Sequence, residues 1–206
     1  MLTLITRGAT LGLTAGILPG PLQTYLIQTT LTQGWRKSIL LIVSPLIADI
    51  PVIILTVFIL SQFPPEFIRA VQIIGGLFVL WLARAAWLSF RAGAEIGAGG
   101  ETLTLSTRQL LTRAVLVNLL SPGPYIFWAT VNGPLLVQGL RQSVLHGAAF
   151  MVAFYGTFLG VLSAFVLVFN RVRSLNPRIT RALLLIITLI MLVFGLSLIG
   201  QGLGLI

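Results

Sequence analysis

The sequence predicts an all-α integral membrane protein, with six transmembrane helices arranged as two inverted-topology repeats of three. Three observations lead there. Of the 206 residues, 57% are hydrophobic and only 8% charged, with a mean hydropathy of +1.04. A soluble domain carries about a quarter of its residues as charged ones, so this chain cannot cover itself with a wetted surface. The apolar residues also gather into runs of the length a bilayer demands, about 17–25 residues each. Finally, the triplet Pro19-Gly20-Pro21 returns as Pro122-Gly123-Pro124, each copy inside an apolar run where prolines do not belong.

The first run extends from about Thr10 to Thr32 and holds the first triplet. Residues 1–20 resemble a signal peptide in composition. Their only charge is Arg7, however, and the apolar run continues past Pro21 instead of ending at a small-residue cleavage site; the segment reads as a retained helix. The second run covers about Ile39 to Leu60 and the third about Ile68 to Phe90. Residues 92–108, with Gly93, Gly97, Gly99, Gly100, Glu95 and Glu101, read as a cytoplasmic linker between a first repeat at 1–91 and a second at 109–206. The fourth run, about Leu110 to Gln138, holds the second triplet, and Asn132-Gly133-Pro134 is an early stop signal within it. The fifth covers about Val144 to Phe169 and the sixth about Ala182 to Gly204.

Proline removes a backbone donor and clashes with the preceding turn, so helices one and four are expected to be broken at Pro-Gly-Pro. Within a bilayer such a break is tolerated only where it is buried in protein or lines a wet cavity. The halves also share Gly34-Trp35-Arg36-Lys37-Ser38 and Gly139-Leu140-Arg141-Gln142-Ser143, with glycine, arginine and serine at equal spacing. Three helices per half would place the second half upside down relative to the first. Interrupted helices at corresponding places in two such halves point to the binding site of a transporter.

The net charge is +9 and the pI near 11.7. The basic residues are spread thinly between apolar runs, as membrane-flanking anchors are, and nucleic acid is not an expected partner. One side receives Arg36, Lys37, Arg84, Arg91, Arg108, Arg113, Arg171, Arg173, Arg178 and Arg181; the other receives Arg7, Arg69 and Arg141. By the positive-inside rule this puts the 1–2, 3–4 and 5–6 connections in the cytoplasm and both termini outside. With no cysteine, disulfides, thiolate metal sites and a cysteine nucleophile are excluded.

Asp49 is the one acid deep in a predicted span; Glu66, Glu95 and Glu101 fall in connections. A mid-membrane aspartate costs about 2.5–3.5 kcal/mol on insertion scales, and such residues face a cavity or the bundle interior. It can serve as a proton carrier, as a counter-ion for a substrate ammonium, or as a packed acid held by neighbouring polar groups. At the spacing set by the glycine-arginine-serine repeat, its counterpart in the second half is Phe154. Helix starts after Pro21 and Pro124 would aim positive dipole ends at the site, unless the triplets are kinks that only shape packing. Gln23, Asn118, Asn132 and Tyr155 are polar residues near the breaks, as fit for interhelical hydrogen bonds as for lining a route. Phe127 and Trp128 can pack a substrate side chain, although apolar core is the commoner fate. His146, the sole histidine, reads as interfacial, and Arg36 and Lys37 as anchors.

The order Pro19-Gly20-Pro21, Gly34-x-Arg36 and Ala48-Asp49 resembles the first half of LysE/RhtB-type exporters. Asn118-Leu119-Leu120-Ser121-Pro122, followed by Phe127-Trp128, is similar to that family's Asn-Leu-Leu-Asn-Pro-Lys stretch. The chain departs from the family pattern at Ser121, at Gly123, and at Ser38 and Ser44-Pro45. The resemblance implies export of amino acids or similar small metabolites, driven by an ion gradient. The expected location is the plasma membrane, the inner membrane of a prokaryote. Site residues are then expected at Asp49, Pro19, Gly20, Pro21, Gln23, Asn118, Pro122, Gly123, Pro124 and Tyr155. The partners are a small solute, a coupling proton or sodium ion, the bilayer and, for so short a chain, a second copy in a homodimer. No cofactor is expected.

Other classes fit less well. An intramembrane aspartyl protease needs two carboxylates, and no His-Glu-x-x-His motif is present. A divalent-metal transporter wants several oxygen ligands, where this chain offers one deep acid. A non-transporting structural or lipid-handling protein remains the alternative from a different class. It predicts that Asp49 and both triplets tolerate substitution.

Overall fold

The computed structural model describes residues 1–18, 20–59, 65–91, 105–175 and 177–205. These are all-helical, with no strand among the described residues. The helices are α1 (Leu2–Ile17), α2 (Pro21–Gln33), α3 (Trp35–Thr56), α4 (Pro65–Arg91), α5 (Thr107–Leu119), α6 (Pro122–Gln142), α7 (Val144–Leu175) and α8 (Pro177–Gly202). The first apolar run thus becomes helical well before Thr10. The 92–108 linker is also shorter than expected at its end: Ser106 caps α5 in a reciprocal box with Gln109, so Thr107 and Arg108 are already helix. Residues 92–104 of the expected linker lie outside the described residues.

Prolines shape three of these helices. Pro21 and Pro122 each occupy the first position of a helix, where the missing N–H would have no partner anyway. The two triplets are therefore used in different registers. Gly20 caps α2 from inside the first triplet, whereas Ser121 caps α6 from just before the second. The α5–α6 break accordingly falls at Leu120 and Ser121 and bends the pair by 53°, and Pro122-Gly123-Pro124 form the first turn beyond it. Asn132-Gly133-Pro134 does not end α6. A π-helical stretch, Trp128–Asn132, precedes it and the helix runs on to Gln142, the wider turn absorbing the proline's missing donor. In α3, a 3₁₀ stretch at Ile39–Val43 precedes Pro45, and a π stretch at Ile54–Ile59 follows Pro51.

Long pairings hold the bundle together. α1 lies along α7, and α4 along α8. Gly8, Gly12 and Gly16 form a buried stripe on α1, one turn apart, that lets two backbones approach closely. A Cβ at Gly8 would stand 2.6 Å from the Phe150 carbonyl oxygen, and one at Gly12 would collide with that of Phe154.

The two similar pentapeptides turn the chain differently. Gly34 adopts φ +85° between α2 and α3, a conformation that favours glycine. In the second half the turn comes at Ser143, whose hydroxyl accepts the His146 N–H at the start of α7 (3.2 Å), and Gly139 stays helical.

By length and composition, α3, α7 and α8 can each cross a membrane, and the bent α5–α6 pair can make a fourth crossing. Leu2–Ile17 and the Gln72–Leu88 portion of α4 are apolar but shorter. An integral membrane protein follows from these helices together with the composition.

Candidate functional site

The α1–α2 and α5–α6 junctions both open onto one cavity of about 630 Å³, within the range of about 300–1,000 Å³ usual for small-molecule sites. The breaks themselves are mended by nearby side chains. In a continuous helix the Ala15 carbonyl would accept from residue 19, but that residue is proline and has no N–H. The Gln23 amide reaches back across the gap and donates to Ala15 O at 2.9 Å. Pro122 deprives Asn118 O of its helical partner in the same way, and the Ser121 N–H supplies one at 3.2 Å. The Ser121 hydroxyl donates to Val117 O (2.6 Å) and the Tyr125 hydroxyl to Leu119 O (2.9 Å). Carbonyls orphaned at a helix end must find such partners when water is absent.

Asp49 sits on α3 at the wall of this cavity, only 4% exposed. Three neutral donors converge on its carboxylate. The Asn118 amide donates to Oδ1 at 3.0 Å, while the Tyr155 hydroxyl and the Trp128 indole N–H donate to Oδ2 at 2.8 and 3.3 Å. One donor comes from each of α5, α6 and α7, so the acid ties α3 to both sides of the second break and to the long helix behind it. Burying a charge is costly unless it is hydrogen-bonded, and here three donors reach the carboxylate.

The structure brings most of the sequence-derived candidates to one place. Asp49, Asn118, Gly20, Pro21 and Gln23 line the cavity, as do Pro122, Gly123 and Pro124. Tyr155 reaches Asp49 but does not itself line the cavity. Pro19 lies outside the described residues. Asn132 is fully buried, its side-chain N and O atoms have no hydrogen-bond partner, and it lines neither this cavity nor the neighbouring one. His146 bonds locally through Nδ1 to the Ser143 hydroxyl (2.7 Å).

From the sequence, Trp128 is open to packing a substrate side chain, with apolar core or lipid contact as the commoner fate. It is buried, at 1% exposure, but its N–H is spent on Asp49. It is also the one residue shared by the walls of two cavities. The second, about 560 Å³, lies toward Thr56, Gln138, Arg141 and Gln142. The available signal was the indole itself, since a buried Trp N–H needs an acceptor and Asp49 was the single deep acid.

Rings line another part of the cavity wall. Phe154 meets Trp128 edge-on at 5.7 Å and stacks on Phe158 at 5.8 Å, with Phe127 at 6.1 Å. Phe127, Phe154, Phe158 and Phe194 all face the cavity.

Comparison with known proteins agrees with the motifs. No curated protein and no solved structure gave a match. A family model described as LysE type translocator matches residues 13–202, which is most of the chain. On that match, and with the apolar helices and the motifs around Asp49 and the two breaks, the chain belongs to the LysE type translocator family.

Proposed function

We propose that the protein is a secondary active exporter of amino acids or similar small metabolites, working by proton antiport. Members of its family are transporters, not enzymes, and the family suggests export of such solutes. In this reading six crossings form two inverted repeats, with α1–α2 and α5–α6 as the broken helices and the solute bound near the midplane between them. The amino groups of a solute face Asp49. The starts of α2 and α6 present unpaired N–H groups and a positive dipole end toward its carboxylate. The cytoplasmic side carries the arginine-rich connections, which leaves both termini outside.

The observation that carries the reading is the placement of Asp49. It is a deeply buried carboxylate, opens onto the cavity between the two breaks, and is held by neutral donors alone. A carboxyl so held can pass between charged and neutral forms with no fixed cation to oppose the change. Structural packing alone does not require the acid to border a cavity. No group of three or more His, Cys, Asp or Glu able to hold a metal occurs among the described residues, so no observation favours a metal-ion substrate.

The test is counterflow in proteoliposomes, with wild type and Asp49→Asn, with and without an imposed pH gradient. Wild type should accumulate a labelled amino acid against its gradient. The variant should still exchange it but stop responding to pH. Identical behaviour of the two proteins would make the acid structural and remove the antiport mechanism.

A further inference from the structure

Asp49 and Phe154 stand at the same sequence spacing, each 15 residues after the glycine of its pentapeptide, although the two pentapeptides turn the chain differently, and both line the same cavity. The cavity wall carries one polar and one apolar pole. The polar pole is Asp49 with Asn118. The apolar pole is Phe154 with Phe127, Phe158 and Phe194.

Between the poles the wall offers little to a second charged group. Among the described residues that line the cavity, Asp49 is the single ionisable one. Three wall hydroxyls donate to their own helices, Thr14 to Thr10 O at 2.9 Å, Ser121 to Val117 O at 2.6 Å and Thr130 to Ile126 O at 2.7 Å, and the Ser197 hydroxyl accepts from the Gln201 amide at 3.1 Å. The Gln23 and Asn118 amides donate to Ala15 O and to Asp49. A charged or strongly polar solute side chain would lose its hydration among the rings, where Ser197 and Gln201 on α8 already bond to each other. An apolar one would exchange water for ring contacts.

We propose that this site selects amino acids with an aromatic or branched apolar side chain, which lies among Phe127, Phe154, Phe158 and Phe194 while the charged backbone groups face Asp49. The inference rests on the export reading for the solute being an amino acid. Lysine is the sharpest competitor, because ring faces attract ammonium groups. Its side-chain ammonium would nevertheless lie among the rings, with the one carboxylate already facing the backbone ammonium.

The experiment is equilibrium binding to the purified full chain in detergent, read as protection against thermal unfolding and as a change in tryptophan emission. The probes are phenylalanine, leucine, serine, lysine and glutamate. Phenylalanine and leucine should bind about tenfold or more tighter than the other three, the discrimination a small apolar recess can supply. Phe127→Gln and Phe194→Gln, at half-buried positions, should bring the five toward parity. The wild-type ranking needs no variant to fold.

Tighter binding of lysine or glutamate overturns the apolar selection, and if that solute is also accumulated by proteoliposomes the export reading stands without it. Apolar ligands that bind but are never moved under any gradient support the recess and remove the export reading. Unchanged apolar binding in both glutamine variants places the ligand elsewhere and overturns the proposal, as does failure of all five to bind.

Discussion

Trp128 donates its indole N–H to Asp49 Oδ2 at 3.3 Å, and it borders both the cavity at the helix breaks and the one toward Arg141. Whatever alters hydrogen bonding at the acid therefore acts on a residue that both cavities share. Trp128 also opens the π-helical stretch of α6, where a looser backbone ladder makes a shift of the ring less costly than in a regular helix.

Trp128→Phe should keep the shared wall and lose the donor. The variant should fold, with stability reduced by about 0.6 kcal/mol, the double-mutant-cycle average for interhelical hydrogen bonds in membranes, and by no more than about 1.7 kcal/mol, the maximum. Counterflow should persist with a weaker response to pH. Trp128→Ala should remove the wall and let solute pass without a gradient driving it. A Trp128→Ala protein that remains tightly coupled in proteoliposomes would show that the ring is not a partition between the cavities.

The three donors to Asp49 should behave as one unit. Tyr155→Phe removes the 2.8 Å bond and should destabilise the wild-type background measurably. In an Asp49→Leu background the same change should cost close to nothing, because the acceptor is gone. Residues sharing one network show coupling of about 0.5–3 kcal/mol in double-mutant cycles. Additive losses in detergent unfolding would mean that Tyr155 stabilises the bundle through its ring packing, not through the acid.

Much of this site was legible because its physics is local. A deep aspartate among apolar residues demands donors, and a proline in an apolar helix leaves a carbonyl without its partner, so Asp49 and both triplets could be read directly. Which donors answer cannot be read locally. Asn118, Trp128 and Tyr155 lie 69, 79 and 106 residues from Asp49, and their convergence depends on how four helices pack. The offset between the triplets was hidden for a related reason. Pro-Gly-Pro permits either the first or the last proline to begin the new helix, and the choice falls to the neighbouring cap, Gly20 in one half and Ser121 in the other. The family resemblance was readable because it rests on the order of short motifs, and the matching family model covers the same stretch.

The approach of α1 to α7 should be intolerant of any side chain at Gly12. Gly12→Val would drive its Cβ into the Phe154 carbonyl, displacing the helix that carries Phe154, Tyr155 and Phe158. Yield of folded protein and unfolding temperature should both fall sharply. Gly160→Ala is the matched control, since nothing stands within 4 Å of its Cβ, and it should be neutral or stabilising by up to about 1 kcal/mol through helix propensity. Equal behaviour of the two variants in a thermal unfolding assay would remove the close-packed stripe as the reason for the glycines.

The clamp across the first break offers the most local test. Gln23 donates to Ala15 O because residue 19 cannot, so Gln23→Met keeps the length of the side chain and leaves that carbonyl without its donor. A buried polar group left unsatisfied costs about 1–3 kcal/mol. Part of that cost should be avoided by fraying the last turn of α1, where the Leu18 N–H bonds to Thr14 O. Amide hydrogen exchange should therefore speed up at the end of α1 and remain unchanged near Gly8, where the glycine stripe holds the helix against α7. Binding of an apolar amino acid should weaken as well, since Thr14, Ala15 and Leu18 are part of the cavity wall. Unchanged exchange at the end of α1 would mean that water already satisfies Ala15 O, in which case the first break is wet without any solute bound and Gln23 is free to contact the solute itself.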